Sequence, residues 1–320
     1  MLKFVVNKND ADMRMDKLIK KFMPTLPTSL MYKAFRKKDI KVNGKRVDIS
    51  YKPKENDVIT AYLSDEFLKE TEKNYDFLNS NSNINIIYED ENILLINKPQ
   101  GVLCHPDKNE YKDTLLLKLQ HYLYKKGEFD PENEQSFKPS LCNRIDRNTE
   151  GIVIAAKNAE ALKIMCEKIK NREIDKYYLA VVHGKPKKRE DTLEGFLFKD
   201  ETKNQVFIDR KKTEKNRTIK TKYKVLKSKN DLSLIEVELI TGRTHQIRAH
   251  MAHIGHPLLG DGKYGKLINK KYKKQALCSY KLTFSFKEDA GKLNYLKDKT
   301  FSLKEVWFEK ELFSWLKIVI

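Results

Sequence analysis

The chain has 320 residues, 40 % of them apolar, enough to bury the core of one large or two smaller domains; a small disulfide scaffold and a fully disordered chain are excluded. Lysine plus arginine number 64 against 45 aspartates and glutamates, a formal net charge of +19, and such a field draws polyanions: RNA, DNA or an anionic membrane surface. Only 11 of those cations are arginine and 53 are lysine, so much of the excess reads as solvated surface.

No apolar run approaches the roughly 18 residues that a membrane span needs, and residues 1–7 are too short a run for a signal peptide. Cys104, Cys142, Cys166 and Cys278 stand far apart without a C-x-x-C pair. That spacing suggests neither a zinc knuckle nor a disulfide framework and fits a reducing, cytoplasmic compartment.

Met15, Leu18, Ile19 and Phe22 are spaced as one face of a short helix that Pro24 stops. Leu30, Ala34 and Phe35 set a second helical pattern, interleaved with Lys33, Arg36, Lys37 and Lys38. Asn43-Gly44 then lies between two short β segments, a strong hairpin signal, and residues 58–62 read as a further strand. Residues 64–83 are polar, rich in Asn and Ser and without periodicity, which predicts a linker between a small module (1–63) and a large one (84–320).

The large module opens with residues 84–88 and a buried strand at 93–96, ended by the turn Asn97-Lys98-Pro99-Gln100-Gly101. Residues 126–138 read as a surface loop. Next, Arg144, Asp146, Arg147, Asn148, Thr149 and Glu150 crowd the mouth of the apolar run 152–156, a central strand buried on both faces. A carboxylate there is costly unless cations or hydrogen bonds compensate; on bare physics the plainer reading is an ion-paired loop, the sharper one a reactive site.

Asn158 is placed to cap a helix whose apolar positions Leu162, Met165, Cys166 and Ile169 are expected in the core. In the strand at 177–182, Tyr178 shares a side with Ala180 and Val182. After a strand at 232–240, Thr241-Gly242-Arg243-Thr244-His245-Gln246-Ile247-Arg248 leads into a helix with Ile247, Met251 and Ile254 buried. Four of the seven histidines fall between 245 and 256, but His245 and His250 are not an i, i+4 pair and H-E-x-x-H is absent, so a zinc site is rejected. The loops G-x-x-x-x-G-K-[ST], G-x-G-x-x-G and G-x-S-x-G are also missing, leaving the chemistry to side chains alone.

Residues 13–62 resemble the S4-type RNA-binding domain through Arg14-Met15-Asp16-Lys17-Leu18-Ile19, the basic second helix and Ile40-Lys41-Val42-Asn43-Gly44. Asn56-Asp57 stands where that family usually has Gly-Asp. Residues 84–286 resemble the large-ribosomal-subunit branch of the pseudouridine synthases. Four ordered blocks carry the likeness: 93–99 with Gly101 and His105-Pro106; Arg144-Ile145-Asp146 with Thr149 and Gly151; Lys176-Tyr177-Tyr178 through His183-Gly184; and 241–248 through Gly260-Asp261 and Tyr264-Gly265. The family usually has His at the position of Asn143 and often Ser at that of Glu150; both departures predict adjusted RNA contacts with the reacting group intact.

The resemblance implies an α+β fold: a mixed, largely antiparallel sheet in the catalytic domain behind a small α+β domain. It implies isomerisation of chosen uridines in structured RNA, ribosomal RNA foremost, by a monomer with no cofactor and no metal. Asp146 would be the nucleophile, Arg248 its ion-pair partner and Tyr178 the residue stacked on the base and able to share in proton transfer. Arg144, Lys176, Arg243 and His245 would bind the substrate nucleotide, and Arg14, Lys33, Arg36 and Lys38 the surrounding RNA. The alternative is a non-catalytic RNA-binding or ribosome-assembly factor on the same fold.

Overall fold

A computed structural model describes residues 1–67, 75–132, 137–200, 205–209, 211–265 and 271–313. Two sheets organise them. The first holds β1 (Leu2–Val5), β2 (Ile40–Val42), β3 (Lys45–Arg46) and β4 (Val58–Ala61) in the order β1-β4-β2-β3, all antiparallel. Helices α1 (Met15–Phe22) and α2 (Thr28–Lys37) close this unit over a core of Met15, Leu18, Ile19, Met31, Ala34, Ile40 and Ile59. The β2–β3 turn forms where Asn-Gly predicts it, with Asn43 and Gly44 both at positive φ (49° and 75°) as a type I′ turn requires. Where glycine is missing before β4, Asn56 takes the left-handed conformation (φ 70°), which its short polar side chain tolerates. Leu30, expected on the inner face of α2, is 38 % exposed; Met31 is buried in its place.

The second sheet has eleven strands: β5 (Ile86–Glu89), β6 (Ile93–Lys98), β7 (Ser140–Leu141), β8 (Glu150–Ala156), β9 (Asp175–His183), β10 (Glu190–Asp200), β11 (Gln205–Asp209), β12 (Arg217–Lys229), β13 (Leu232–Glu238), β14 (Leu277–Thr283) and β15 (Thr300–Ser302). Its main path runs β11-β10-β12-β13-β9-β14-β8-β6-β5, with β7 on β8 and β15 on β14. Among the described strands only β14 and β8 pair in parallel, so the sheet is mixed and largely antiparallel. Helices α3 (Leu115–Lys125), α4 (Ala159–Lys170), α5 (Gln246–His253) and α6 (Trp307–Phe313) cover it. Residues Ile152 to Ala156 in β8 are fully buried because α3 packs on one face and α4 on the other. Full burial of each large aliphatic side chain there stabilises by about 1.5–3 kcal/mol.

Asn158 caps α4, its side chain accepting from Ala161 N at 2.9 Å. Cys166 departs from expectation: it is exposed, because the buried stripe of α4 runs through Ala161, Met165 and the stem of Lys168. Within the stretch read as linker, residues 68–74 lie outside the described residues, while Phe77 is 2 % exposed and packs against Tyr124 and Phe129. Its Asn/Ser-rich surroundings hide that one anchoring ring. Phe129 is likewise buried inside the predicted surface loop, of which 133–136 lie outside the described residues. No helix among the described residues is long and apolar enough to cross a membrane.

Candidate active site

The parallel contact of β14 with β8 pairs Cys278 with Glu150 and Ser279 with Gly151. Gly151 has φ +114°, and a Cβ there would lie 2.3 Å from the Ser279 carbonyl oxygen, so only glycine lets the strands meet. The polar segment before β8 is thereby held at the end of the sheet, and several bonds fix its path. Lys98, fully buried, donates through Nζ to the carbonyls of Pro99 (2.9 Å), Val102 (2.9 Å) and Arg147 (3.0 Å). Gly101 N also donates to the Arg147 carbonyl (2.8 Å), and Arg147 Nε returns a bond to the Gly101 carbonyl (2.9 Å). Gln275 Nε2 donates to Thr149 Oγ1 (3.0 Å). Burial pulls the Lys98 ammonium down to about 8, which its three carbonyl acceptors and the nearby Asp146 and Glu150 charges oppose.

Asp146 emerges from this segment with its side chain 25 % exposed. Arg248 on α5 reaches it, Nη1 to Oδ2 3.3 Å, while the rest of the guanidinium is engaged by Asp261: Nε to Oδ2 2.7 Å and Nη2 to Oδ1 2.9 Å. Asp261 is wholly buried and also accepts from Lys263 N (3.0 Å) and Tyr264 N (3.2 Å). These bonds, the Arg248 pair foremost, outweigh burial and hold the Asp261 carboxyl below its usual range; the Arg248 guanidinium, disfavoured by burial, is held charged by the two carboxylates. The Arg248 fork also lies 5.1 Å from the Tyr264 ring centroid.

α5 starts where it does because Gln246 is fully bonded. Its Oε1 accepts from Thr241 Oγ1 (2.9 Å) and Arg243 N (3.2 Å); its Nε2 donates to the Lys220 carbonyl (3.0 Å) and Thr221 Oγ1 (2.8 Å). The residue before it, His245, is left-handed (φ 54°, ψ 15°), a conformation that costs a non-glycine residue energy and recurs where function demands it. Its Nδ1 lies 2.9 Å from the Tyr264 hydroxyl and its Nε2 3.8 Å from Asp146 Oδ2. The other histidines of that segment serve elsewhere: His250 is buried with Nδ1 on Thr221 Oγ1 (2.8 Å), His253 is exposed, and His256 Nδ1 meets the His183 carbonyl (2.9 Å).

Tyr178 on β9 shares its face with Ala180 and Val182 and is 6 % exposed; burial raises its hydroxyl, which stays protonated. A cleft of about 430 Å³ is lined by Arg144, Asp146, Lys176, Tyr178, Arg243, His245 and Arg248, so the seven residues singled out in the large module meet in one place. A wider lobe of about 1010 Å³ shares Arg144, Asp146, His245 and Arg248 and extends to His105, Lys263 and Lys273. Burial draws the ammonium of Lys176, which lines the cleft, below its ordinary value. Arg14, Lys33, Arg36 and Lys38 lie instead on the exposed surface of the N-terminal unit, Arg14 paired with Asp16 at 3.1 Å.

Sequence reasoning missed Lys98, Asp261 and Tyr264 as parts of the site. All three stand in quoted motif blocks, and a buried-looking lysine between an apolar strand and a Pro turn was the available signal. The two departures from the family pattern have distinct places. Asn143 lines the cleft, and its Oδ1 accepts from Ile154 N (2.8 Å). Glu150 faces a separate cavity of about 420 Å³ with Asn97 and Trp307.

Comparison with known proteins gives the family. Residues 92–253 match the family model described as RNA pseudouridylate synthase. The chain is 35 % identical over 314 residues, 97 % of its length and all of the relative's, to a protein of Mycoplasma capricolum described as an uncharacterized RNA pseudouridine synthase. It is 32 % identical to the ribosomal large subunit pseudouridine synthase C of Buchnera aphidicola, covering 82 % of this chain and 80 % of that one. Among solved structures, human RNA pseudouridylate synthase domain containing 4 shares the fold, with a TM-score of 0.54 at 20 % identity over 69 % of this chain and 88 % of that one.

Proposed function

Since the chain belongs to the RNA pseudouridylate synthase family, and so isomerises uridine to pseudouridine in RNA, we propose that Asp146 is its nucleophile and large-subunit ribosomal RNA its substrate. The observation that carries the first part is a single one: Asp146 is the carboxylate that opens into the cleft while anchored, through Arg248, to the buried Asp261. In the reaction the bond from the ribose to N1 of uracil breaks, the ring turns, and a bond from the ribose to C5 replaces it. The C5 hydrogen is lost and N1 gains one, so atoms balance without an external reactant. Attack by the carboxylate on the sugar, attack on the base, and assistance to a glycal intermediate all require it ionised, and the Arg248 guanidinium favours that state.

Tyr178 supplies a flat ring at the cleft wall for the extruded uracil, and Arg144, Lys176 and Arg243 supply cations for its phosphates and carbonyls. Extruding the base costs about a few kcal/mol, which stacking, worth roughly 1–3 kcal/mol per base, and phosphate contacts offset. The ribosomal substrate is inferred from the relatives described as large-subunit synthases. The N-terminal unit, by its hairpin and its exposed Lys33, Arg36 and Lys38, is read as an S4-type RNA-binding domain.

Purified protein incubated with transcribed ribosomal RNA is expected to form pseudouridine with nothing added. Asp146→Asn is expected to abolish the product and keep RNA binding; a variant that still turns over removes Asp146 from its role. Mapping pseudouridine in total RNA with and without the gene tests the substrate.

A further inference from the structure

Tyr264 joins the edge of the large sheet to the reacting centre. β11 is the last strand of that sheet, and its outward N–H at Val206 donates to the Tyr264 hydroxyl at 2.9 Å. Beside it, Gln205 Nε2 donates to the Lys263 carbonyl at 2.7 Å, so the segment carrying Tyr264 is stitched to the β11 edge at two points. The same hydroxyl lies 2.9 Å from His245 Nδ1, and the two rings meet edge to face at 5.6 Å and 79°.

One arrangement gives both groups a protein partner: the Tyr264 oxygen accepts the Val206 proton and donates its own hydrogen to His245 Nδ1. In that arrangement Nδ1 is the lone-pair nitrogen of a neutral imidazole, and the ring proton sits on Nε2. The groups facing the ring favour this. Burial disfavours the imidazolium first of all, Arg248 and Lys263 repel it, and Asp146 and Asp261 draw it the other way, with the balance leaving the ring down to about 4. The Nε2–H therefore points to Asp146 Oδ2 across 3.8 Å, beyond hydrogen-bond length. It is a donor held in reserve above the carboxylate.

Resting on the assignment of Asp146 made above, we propose that His245 is a positioning residue for that carboxylate, fixed in its Nε2–H form by Tyr264, and that the docking of the β10–β11 hairpin edge sets this arrangement through Val206. The left-handed backbone of His245 then has a purpose. It aims the ring past the start of α5 to stand between Tyr264 and Asp146, which an ordinary helical start does not do. A hairpin displaced from Tyr264 frees the hydroxyl to turn, and the ring proton is no longer tied to the nitrogen facing Asp146.

The test uses the full-length protein and has two readouts. Nitrogen NMR of the histidine-labelled protein is expected to show His245 with a bare Nδ1 and a protonated Nε2 near neutral pH, and to lose that preference in Tyr264→Phe. In pseudouridine formation, Tyr264→Phe is expected to lower kcat roughly ten- to a hundredfold with KM for RNA unchanged, less than the loss when a histidine that is itself the base takes the wrong tautomer. His245→Gln, which can still place an N–H near the Nε2 position, is expected to retain more activity than His245→Leu. A proton found on Nδ1 in the wild type overturns the proposal, as do equal kcat values for wild type and Tyr264→Phe, or equal losses in the Gln and Leu variants. A wild-type protein that forms no pseudouridine would count against the underlying reading instead, while the NMR result would still stand on its own.

Discussion

The N-terminal unit and the cleft handle charge in opposite ways. In the first, Lys33, Arg36, Lys37 and Lys38 stand exposed on α2 and just past its end, over a small apolar core, with Arg14 tied to Asp16 at the surface. Exposed cations of this kind add to a field that salt screens, and each is individually replaceable. In the cleft one set of charges is built inward: Arg248 is 8 % exposed, Asp261 not at all, and Asp146 is held at one end of the chain they form. Removing one member of a buried set leaves the others uncompensated, so the loss is local and large. The net charge of +19 is a sum over the whole chain and says nothing of how the buried Asp146–Arg248–Asp261 set is wired.

The sharpest way to break this contrast is at Arg248. Arg248→Met is expected to lower turnover by roughly 10²–10³-fold, the scale of losing one preorganised electrostatic partner, while RNA affinity hardly moves. A loss confined to affinity would make Arg248 a phosphate contact and dissolve the distinction between the two regions.

Lys98 comes next, as a buried cation with no substrate to meet. Lys98→Met leaves the Pro99 and Val102 carbonyls without a donor and the Arg147 carbonyl with Gly101 N alone, and is expected to cost about 2–4 kcal/mol of stability. Its pH dependence has a definite sign. The folded state holds Lys98 down at about 8 and the unfolded chain holds it near 10.5, so between those values the unfolded state binds more protons and wild-type stability from this group rises with pH. Urea unfolding at pH 7 and pH 10 is expected to show the deficit of the variant growing with pH; a constant deficit would mean that Lys98 titrates normally.

In the N-terminal unit, the combined change Lys33→Gln, Arg36→Gln and Lys38→Gln is expected to weaken RNA binding and flatten its salt dependence. The slope of log affinity against log salt should fall by about 2, for three contacts to single-stranded phosphates, with kcat at saturating RNA unchanged. An unaltered slope would show that this face does not meet the backbone.

How far the sequence carries such reasoning depends on the range of the interaction. Asn43-Gly44, the Asn158 cap and the side of β9 on which Tyr178 lies were legible because each is decided within a few residues. Leu2–Val5 was not read as a strand, since it is short, half-exposed and defined only by pairing with residues 58–61. Cys166 misled because its helical spacing was apolar but the neighbouring stripe won the core. In the cleft, the residue types were legible through a family likeness. Their wiring was not: Asp261 reaches Arg248, and Lys98 the carbonyl of Arg147, only because loops whose shape no periodicity encodes bring them together.

Glu150 offers the smallest effect and a clean test of which region it belongs to. It follows the Asp146 segment directly, yet its side chain is half-buried beside Cys278 on the cavity lined by Asn97 and Trp307, away from the cleft. Burial pushes its carboxyl up to about 7, against the nearby Lys98 charge. The folded state thus keeps a proton that the unfolded chain releases above about 4.5, and the stability this confers is present at low pH and lost as pH rises through 7. Glu150→Gln, uncharged throughout, is expected to match the wild type in melting temperature at pH 4 and to exceed it at pH 8, with pseudouridine formation unchanged. Equal differences at both pH values would place the carboxylate in water, and a loss of turnover would move Glu150 from its separate cavity into the chemistry that Asp146 and Arg248 share.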